Sequence, residues 1–380
     1  SNTPIIATFE PHVVRSALSR LFDALGLTGA IPTGSVAGDV LLEWPLGNFS
    51  DRHGHANLSV TPPDGVVLQA RGERPQSTRS GWSYAAQSFQ PDVGPWRFPI
   101  GSEIKLTFGP EDVELEPSWM ATPLTAIEFE GWTAWGDQSH IPFEVMSADW
   151  QESNRLMASI MTAFGRRTDE IAVGGYGSML GEMHGRFLAP RIEAMFRGDD
   201  VAAWNVAWGH GEGEIVVEDS FLDVSQGLFS DAESELRVDG RFAIGSRPIG
   251  EEEINASFDL AAVPAKNIRD AFALEGYPID GPLYGDIRLY GKYRQPFGFG
   301  RLRIAAGTAY GESFDQTEAG LRFEGEGVWL DGLTVHKGDG EVTGAMYVRW
   351  DGTYSVNADV RNIDMSTSLV FDQPGAPVTG

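Results

Sequence analysis

Cysteine does not occur among the 380 residues, which excludes disulfides, thiol catalysis and thiolate metal sites. Long apolar runs are also missing: nothing approaches the ~18–20 residues that a membrane-spanning helix needs. Positive charge is scarce, with 28 Lys and Arg against 54 Asp and Glu, a formal net charge of −26. That balance opposes unaided binding to nucleic acid or to an anionic bilayer surface. No G-x-S-x-G elbow is present. Gly174-Gly175-Tyr176-Gly177 and Gly211-Glu212-Gly213 lack the Lys-Ser/Thr and the parallel βα context of a phosphate loop. The start, SNTPIIATFE, has no basic region followed by an apolar one, so no signal peptide is expected in it. With 42% hydrophobic and 22% charged residues, the composition is that of a folded protein rather than a disordered one.

What is present is organised around residues 276–304, GYPIDGPLYGDIRLYGKYRQPFGFGRLRI, a helix stop, a turn and two strands punctuated by glycines. Written with period two, Leu283, Ile287, Leu289, Leu302 and Ile304 fall on one side. A related string, IPTGSVAGDVLL, occupies 31–42. Aligned on Gly34 and Gly281, the two share Gly38/Gly285, Asp39/Asp286, Val40/Ile287 and Leu42/Leu289. Each follows a helical pattern, carrying Val14-Arg15-Ser16-Ala17 in one case and Ile268-Arg269-Asp270-Ala271 in the other. One short unit is used at least twice.

Three helices are predicted, at 10–25, 149–164 and 265–274. In the second, Asp149 and Glu152 have capping-box spacing, and Met157, Ile160, Met161 and Phe164 form an apolar stripe. Val36/Val40/Leu42/Trp44, Ile104/Leu106/Phe108 and Ile127/Phe129 alternate as strands do, and 71–101 reads as a longer loop. Further strands are expected at 170–173, 204–208, 214–224, 233–244 and 251–260, and then to about 365.

The second half alternates with the most regularity. Leu236, Val238, Phe242 and Ile244 oppose Glu235, Arg237, Asp239 and Arg241, and Ile254, Ala256, Phe258 and Leu260 oppose Glu253, Asn255, Ser257 and Asp259. Strands of this kind joined by short turns form antiparallel sheets. A sandwich covers the apolar face with a second sheet, a barrel by closure; three helices are too few to cover about twenty strands. A long sheet can instead curl across its width into a U-shaped groove, on the order of 100 Å long at ~4.8 Å per strand. Such a groove accepts acyl chains, because apolar surface gains ~25 cal/mol per Å² on leaving water. The alternation leaves a curled groove and stacked sandwiches both open. Gly38, Gly240, Gly285 and Gly344, at strand positions that permit strong curvature, favour the groove. The fold class is therefore read as mainly β, a long antiparallel sheet curled into a U-shaped groove with a few short amphipathic helices. The expected lining is Leu236, Val238, Phe242, Ile244, Ile254, Phe258, Leu260, Leu283, Ile287, Leu289, Leu302, Ile304, Leu321, Phe323, Val342, Met346 and Val348.

The block NIRDAFALEGYPIDGPLYGDIRLYGKYRQPFGFGRLRI has the cadence of a short helix, then G-x-L-x-G-x-x-x-L-x-G, then glycine-spaced strands, and GEGVWLDGLTVHKGDGEVTGAMYVRWDGTYSVNADVRNIDM continues the glycine-spaced strands. They resemble the repeats of the TamB and AsmA-like family of Gram-negative bacteria, over 201–365 and, more weakly, 11–44. The resemblance implies a curled sheet with a hydrophobic interior, the β-taco. It also implies a protein anchored in the inner membrane and crossing the periplasm, linked to phospholipid transport and outer-membrane biogenesis. On that basis the chain is expected to be an internal periplasmic segment of a longer protein. Phospholipid acyl chains would be its ligand, and an outer-membrane barrel protein would be met through regions outside it. The parts expected are 1–148 (helix and first sheet), 149–264 (capped helix and sheet), 265–372 (short helix and glycine-spaced repeat) and a linker at 373–380.

Other chemistry is weaker in the residues. His53 and His55 point the same way on a strand, but nothing nearby supplies further ligands at a recognisable spacing, so neither a metal nor another cofactor is expected. Glu251-Glu252-Glu253 reads as a solvated turn, and paired glycosidase carboxylates cannot be placed from sequence. Among the tryptophans, Trp204 and Trp208 share strand parity whereas Trp132 and Trp135 do not, so only the first pair could form a stacking platform. The expectation is a non-enzymatic lipid conduit. The alternative is a β-sandwich scaffold or carbohydrate-binding protein with a filled core.

Overall fold

The computed structural model describes residues 4–9, 35–61, 101–135, 137–163, 173–186, 189–203, 206–244, 253–271 and 276–363. The helix expected at 10–25, the loop at 71–101 and the linker at 373–380 lie outside them, apart from Gly101 at the start of a strand. The chain is mainly β, an open antiparallel sheet that does not close into a barrel; strands near in sequence pair, except that 253–264 passes over the short strand 279–280 to pair with 282–292. It divides into two compact units, residues 1–199 with 215–220, and 200–214 with 221–380.

The first unit carries β1 (Pro4–Phe9), β2 (Ser35–Pro45), β3 (His53–Thr61), β4 (Gly101–Phe108), β5 (Val113–Ala121), β6 (Thr125–Thr133), β7 (Ser139–Ser147), helix α1 (Trp150–Ala163) and β8 (Val173–Arg186). The strands β9 (Ala189–Ala203) and β10 (Val206–Glu218) contribute residues to both units. On the apolar face, Met120, Ile127, Val145 and Met179 stand opposite one another in register across β5, β6, β7 and β8. Leu156 of α1, fully buried, packs onto them.

Of the stripe expected on α1, only the Met157 side chain is described, and it does not face the sheet. Leu156, Glu152 and Ser153 face the sheet, while Met157 is exposed; the side chains of Ile160 and Met161, and all of Phe164, lie outside the described residues. The capping box is also incomplete. Asp149 Oδ1 does accept from Gln151 N (2.9 Å), but Asp149 N donates to Ser147 Oγ (3.1 Å), not to Glu152. Glu152 points instead into the turn between β5 and β6, accepting from Leu124 N (3.1 Å) and from Thr122 Oγ1. Ser153 Oγ joins Thr125 Oγ1 (2.8 Å) and Ser147 Oγ (2.6 Å) beside it. A buried polar cluster thus fastens α1 to the strand ends. Its weak point is Glu152 Oε2, which is buried without a hydrogen-bond partner among the described residues. Desolvation accordingly raises the Glu152 pKa, against the hydrogen bonds from Thr122, Thr125 and Leu124.

The second unit carries β11 (Phe221–Asp231), β12 (Ser234–Ala243), β13 (Glu253–Pro264), helix α2 (Ala265–Ala271), β14 (Ile279–Asp280), β15 (Pro282–Lys292), β16 (Gln295–Ala309), β17 (Glu312–Glu324), β18 (Gly327–Lys337), β19 (Gly340–Arg349) and β20 (Tyr354–Arg361). The single strand expected at 214–224 is two, broken at Asp219 and Ser220. Both take positive φ (49° and 67°), the backbone of a tight hairpin that needs no glycine here.

In the second unit strict period two fails at three bulges among the described residues. The register slips between Val224 and Gly227, between Leu260 and Val263, and between Leu330 and Leu333. Gln226, Ala262 and Gly332 sit in the slips with φ of 53°, 54° and 61°. Each bulge adds a residue and reverses parity, so the apolar face passes from Leu260 to Val263 and from Leu330 to Leu333. The repeated unit has one geometric hallmark. Gly38 and Gly285 take φ of 148° and 149°, and a Cβ on either would lie 2.0 Å from the carbonyl oxygen of Asn57 or Arg301. The two sites are the same bend made twice.

Two substitutions test these supports. Gly285→Ala forces a methyl group against backbone at positive φ, and a loss of at least about 1–3 kcal/mol is expected, read from the urea midpoint; an unchanged midpoint would mean the bend is not held there. For Glu152 the folded pKa lies above the unfolded one. Its contribution is therefore full below the unfolded pKa and is lost as pH rises through the folded pKa. Glu152→Gln should match wild type near pH 4 and be the more stable at pH 7, by on the order of 1 kcal/mol; a variant less stable at pH 7 would assign the carboxylate a net stabilising role.

Candidate functional site

The site is the apolar face of the second unit. Pairing aligns Val238, Phe258, Ile287, Gly300, Leu321, Leu330, Met346 and Val356 as one row across β12, β13 and β15–β20. A parallel row joins Val263, Leu283, Ile304, Thr317, Val335, Val342 and Val360. Another joins Ala256, Leu289, Gly298, Phe323, Val328, Val348 and Tyr354. Leu236, Leu260 and Leu302 follow the same parity, as do Phe242 and Ile254, which pair with each other. Sixteen of the seventeen expected lining residues therefore share this face; Ile244 lies just past the end of β12, half-buried.

They are not equally accessible. Leu236, Val238, Ile254, Leu260, Leu283, Leu289, Ile304 and Leu321 are buried. Phe242, Phe258, Ile287, Leu302, Phe323, Val342, Met346 and Val348 are half-buried. Along the first row exposure is uneven: Val238 is at 7% and Leu321 at 9%, the residues between and beyond them are half-buried, and Val356 on the last strand reaches 52%. The core also includes residues that strict alternation does not reach: Val263, Phe314, Val206 and Trp208 are buried, and Phe229 and Val335 pack against them. The parity reversals at the bulges hide Val263, Phe229 and Val335 from a period-two reading.

The face is concave, as two crossings require. Helix α2 begins at one end of β15, where Ala265 N donates to Gly281 O (2.9 Å). Tyr293, just beyond the opposite end, donates its hydroxyl to Ala271 O (3.1 Å). An extended β15 would span about 33 Å; α2 covers about 10 Å, and one tyrosine side chain completes the crossing. Near the same first rim, Tyr277 donates to Arg349 O (2.8 Å) at the far end of β19. Desolvation raises the Tyr277 pKa, with Tyr310 and Asp351 adding to it. Ile268 and Ala271 of α2 pack on the buried cluster beneath.

The opposite face is charged and internally paired. Arg241 forms two 2.7 Å bonds to Asp223, Arg322 bonds Glu324 and reaches Asp331 (3.4 Å), and Arg349 meets Glu326 (2.8 Å). Exposed pairs of this kind set which face meets water more than they add stability.

The stacking platform is not supported at Trp208, which is buried and donates to Ala203 O (3.2 Å), while Trp204 lies outside the described residues. Trp132 is exposed, but Trp135 follows the end of β6 and bonds Pro110 O (3.2 Å). His53 and His55 lie at the start of β3, His53 beside Glu43 (3.4 Å). Neither belongs to a group of three ligand side chains among the described residues. No helix in those residues is long and apolar enough to cross a membrane. Compared with known protein families, with curated proteins and with solved structures, the chain finds no match.

Tyr293→Phe removes the hydroxyl that ties α2 across the face. With one hydrogen bond worth about 1 kcal/mol, amide exchange in 265–271 should speed about fivefold while β13 and β15 stay protected. Unchanged exchange would show that α2 is held by its apolar contacts alone.

Proposed function

We propose that this chain is a segment of a lipid conduit, shielding phospholipid acyl chains along its concave apolar face between inner and outer membranes and so supporting outer-membrane biogenesis. One observation carries the reading: the apolar row from Val238 to Val356 continues in register over eight strands, and past Leu321 its side chains are accessible, half-buried at Leu330 and Met346 and exposed at Val356. A filled core gains nothing from accessible apolar side chains, whereas a groove for acyl chains requires them. The glycine-spaced cadence shared with TamB and AsmA-like repeats supports the same reading and suggests the periplasmic setting. No catalytic group is part of the proposal. Chains would lie against Phe258, Phe323, Met346 and Val348, where side chains are half-buried, rather than against Leu289 or Ile254, which are closed off.

A scaffold with a filled core is the second reading, favoured by the eight buried lining residues and by α2 seated over them. Photo-crosslinking residues at Phe323 and Met346 separate the two. Under the conduit reading both capture phospholipid in a Gram-negative host, and Arg237 and Arg322 on the charged face do not. Native mass spectrometry of the purified chain should then show bound phospholipid, lost in folded Met346→Asp. Equal labelling of the two faces, with a lipid-free protein that takes up no added lipid, would favour the scaffold.

A further inference from the structure

On the charged face of the first unit, β7 and β8 bring together two histidines and a glutamate from positions far apart in sequence. His140 and His184 are directly opposed in the register, with their Nδ1 atoms 3.4 Å apart and ring centroids 5.1 Å apart. Glu182, two residues before His184 and on the same face, places Oε2 3.2 Å from His184 Nε2 and 3.8 Å from His140 Nδ1. One ligand atom from each residue lies within 4.8 Å of the others. We propose that His140, Glu182 and His184 form a binding site for a divalent transition-metal ion of the Zn²⁺ class, with the fourth coordination position open to water.

Three physical points lead there. Metal–nitrogen and metal–oxygen bonds of about 2.0–2.2 Å put the ligand atoms of a tetrahedral ion about 3.4 Å from one another, the spacing of the two Nδ1 atoms. Second, the carboxylate lacks a permanent counter-charge. Glu193 and Glu218 nearby share Arg191, at 2.6 Å each, whereas among the described residues the ion pairs of Glu182 are with the two imidazoles. His184 also bears electrostatically on Glu193, so the neighbourhood gains from an added cation. Third, two imidazoles and one carboxylate are the donor types of open zinc sites, while Mg²⁺ and Ca²⁺ prefer oxygen alone. Glu182 is half exposed, and a rotamer change brings its oxygen to the point that the two Nδ1 atoms share. A bound ion would tie β7 to β8.

The test is titration of the tag-free chain with Zn²⁺ against a chromophoric chelator, with Co²⁺ as a spectroscopic probe. One equivalent of Zn²⁺ is expected, together with the visible absorption of four-coordinate Co²⁺. His184→Ala should weaken binding by at least the about 10–100-fold that loss of a mere outer-shell partner causes. Glu182→Gln, which keeps the shape, should weaken it as well, and His53→Ala/His55→Ala should leave it intact. Mg²⁺ in excess should not compete. Absent binding overturns the site, as does stoichiometric binding that survives both His184→Ala and Glu182→Gln or that disappears with His53 and His55.

Discussion

Everything in the second unit depends on one constraint: each strand must keep its apolar side chains on a single face while its backbone bends. Alternation alone cannot do both, since a bend that adds a residue turns the next side chain outward. The chain meets the constraint by moving the apolar positions with the bulge. Leu260 is followed by Val263, and Leu330 by Leu333. Ala262, which carries the intervening positive φ, is small, and Gly332 has no side chain at all. Where a bend occurs without an added residue, as at Gly285, neighbouring backbone comes so close that a Cβ has no room.

Curvature then decides what the apolar face can do. A flat sheet of this composition would present one continuous hydrophobic surface and would aggregate or need a second layer. Once the strand ends approach each other, the face covers itself in part, and short elements suffice for the rest. Helix α2, with Tyr293 and Tyr277, spans the concavity using two hydroxyl-to-carbonyl bonds. In the first unit, α1 covers its part of the face differently, fastened by the Ser147, Glu152 and Ser153 cluster to the strand ends. The two solutions differ in robustness. Buried polar groups in α1 depend on every partner being present, whereas α2 rests on Ile268 and Ala271 against an apolar bed.

The architecture was legible because alternation is a local property. Leu236, Val238, Ile254 and Phe258 could be assigned to one face from their spacing, and the structure places them there in register. Short turns identified antiparallel pairing for the same reason. What could not be read was anything set by contact across strands. Met157 was expected inward, but α1 instead buries Glu152 and Ser153, two polar residues whose partners at Thr122, Thr125 and Ser147 come from distant turns. The shared parity of Trp204 and Trp208 suits a platform or core packing alike; burial of Trp208 in the apolar cluster with Val206 decides for packing. Accessibility is non-local as well: Leu289 and Met346 have the same pattern in sequence, yet one is 2% exposed and the other half-buried.

The same reasoning bears on the histidines. His53 and His55 are adjacent in parity along one strand, and such spacing separates side chains by two residues' rise, about 6.6–6.8 Å. Among the described residues neither belongs to a group of three ligand side chains. Residues directly opposed across an antiparallel pair stand about 4.5–5.5 Å apart at Cβ, and here the imidazoles of His140 and His184 meet at 3.4 Å. The facing strand thus adds His140 to Glu182 and His184, which lie two residues apart on β8. In a chain built almost wholly of hairpins, chemistry-bearing clusters are to be sought in the register, where residues 44 apart in sequence become neighbours.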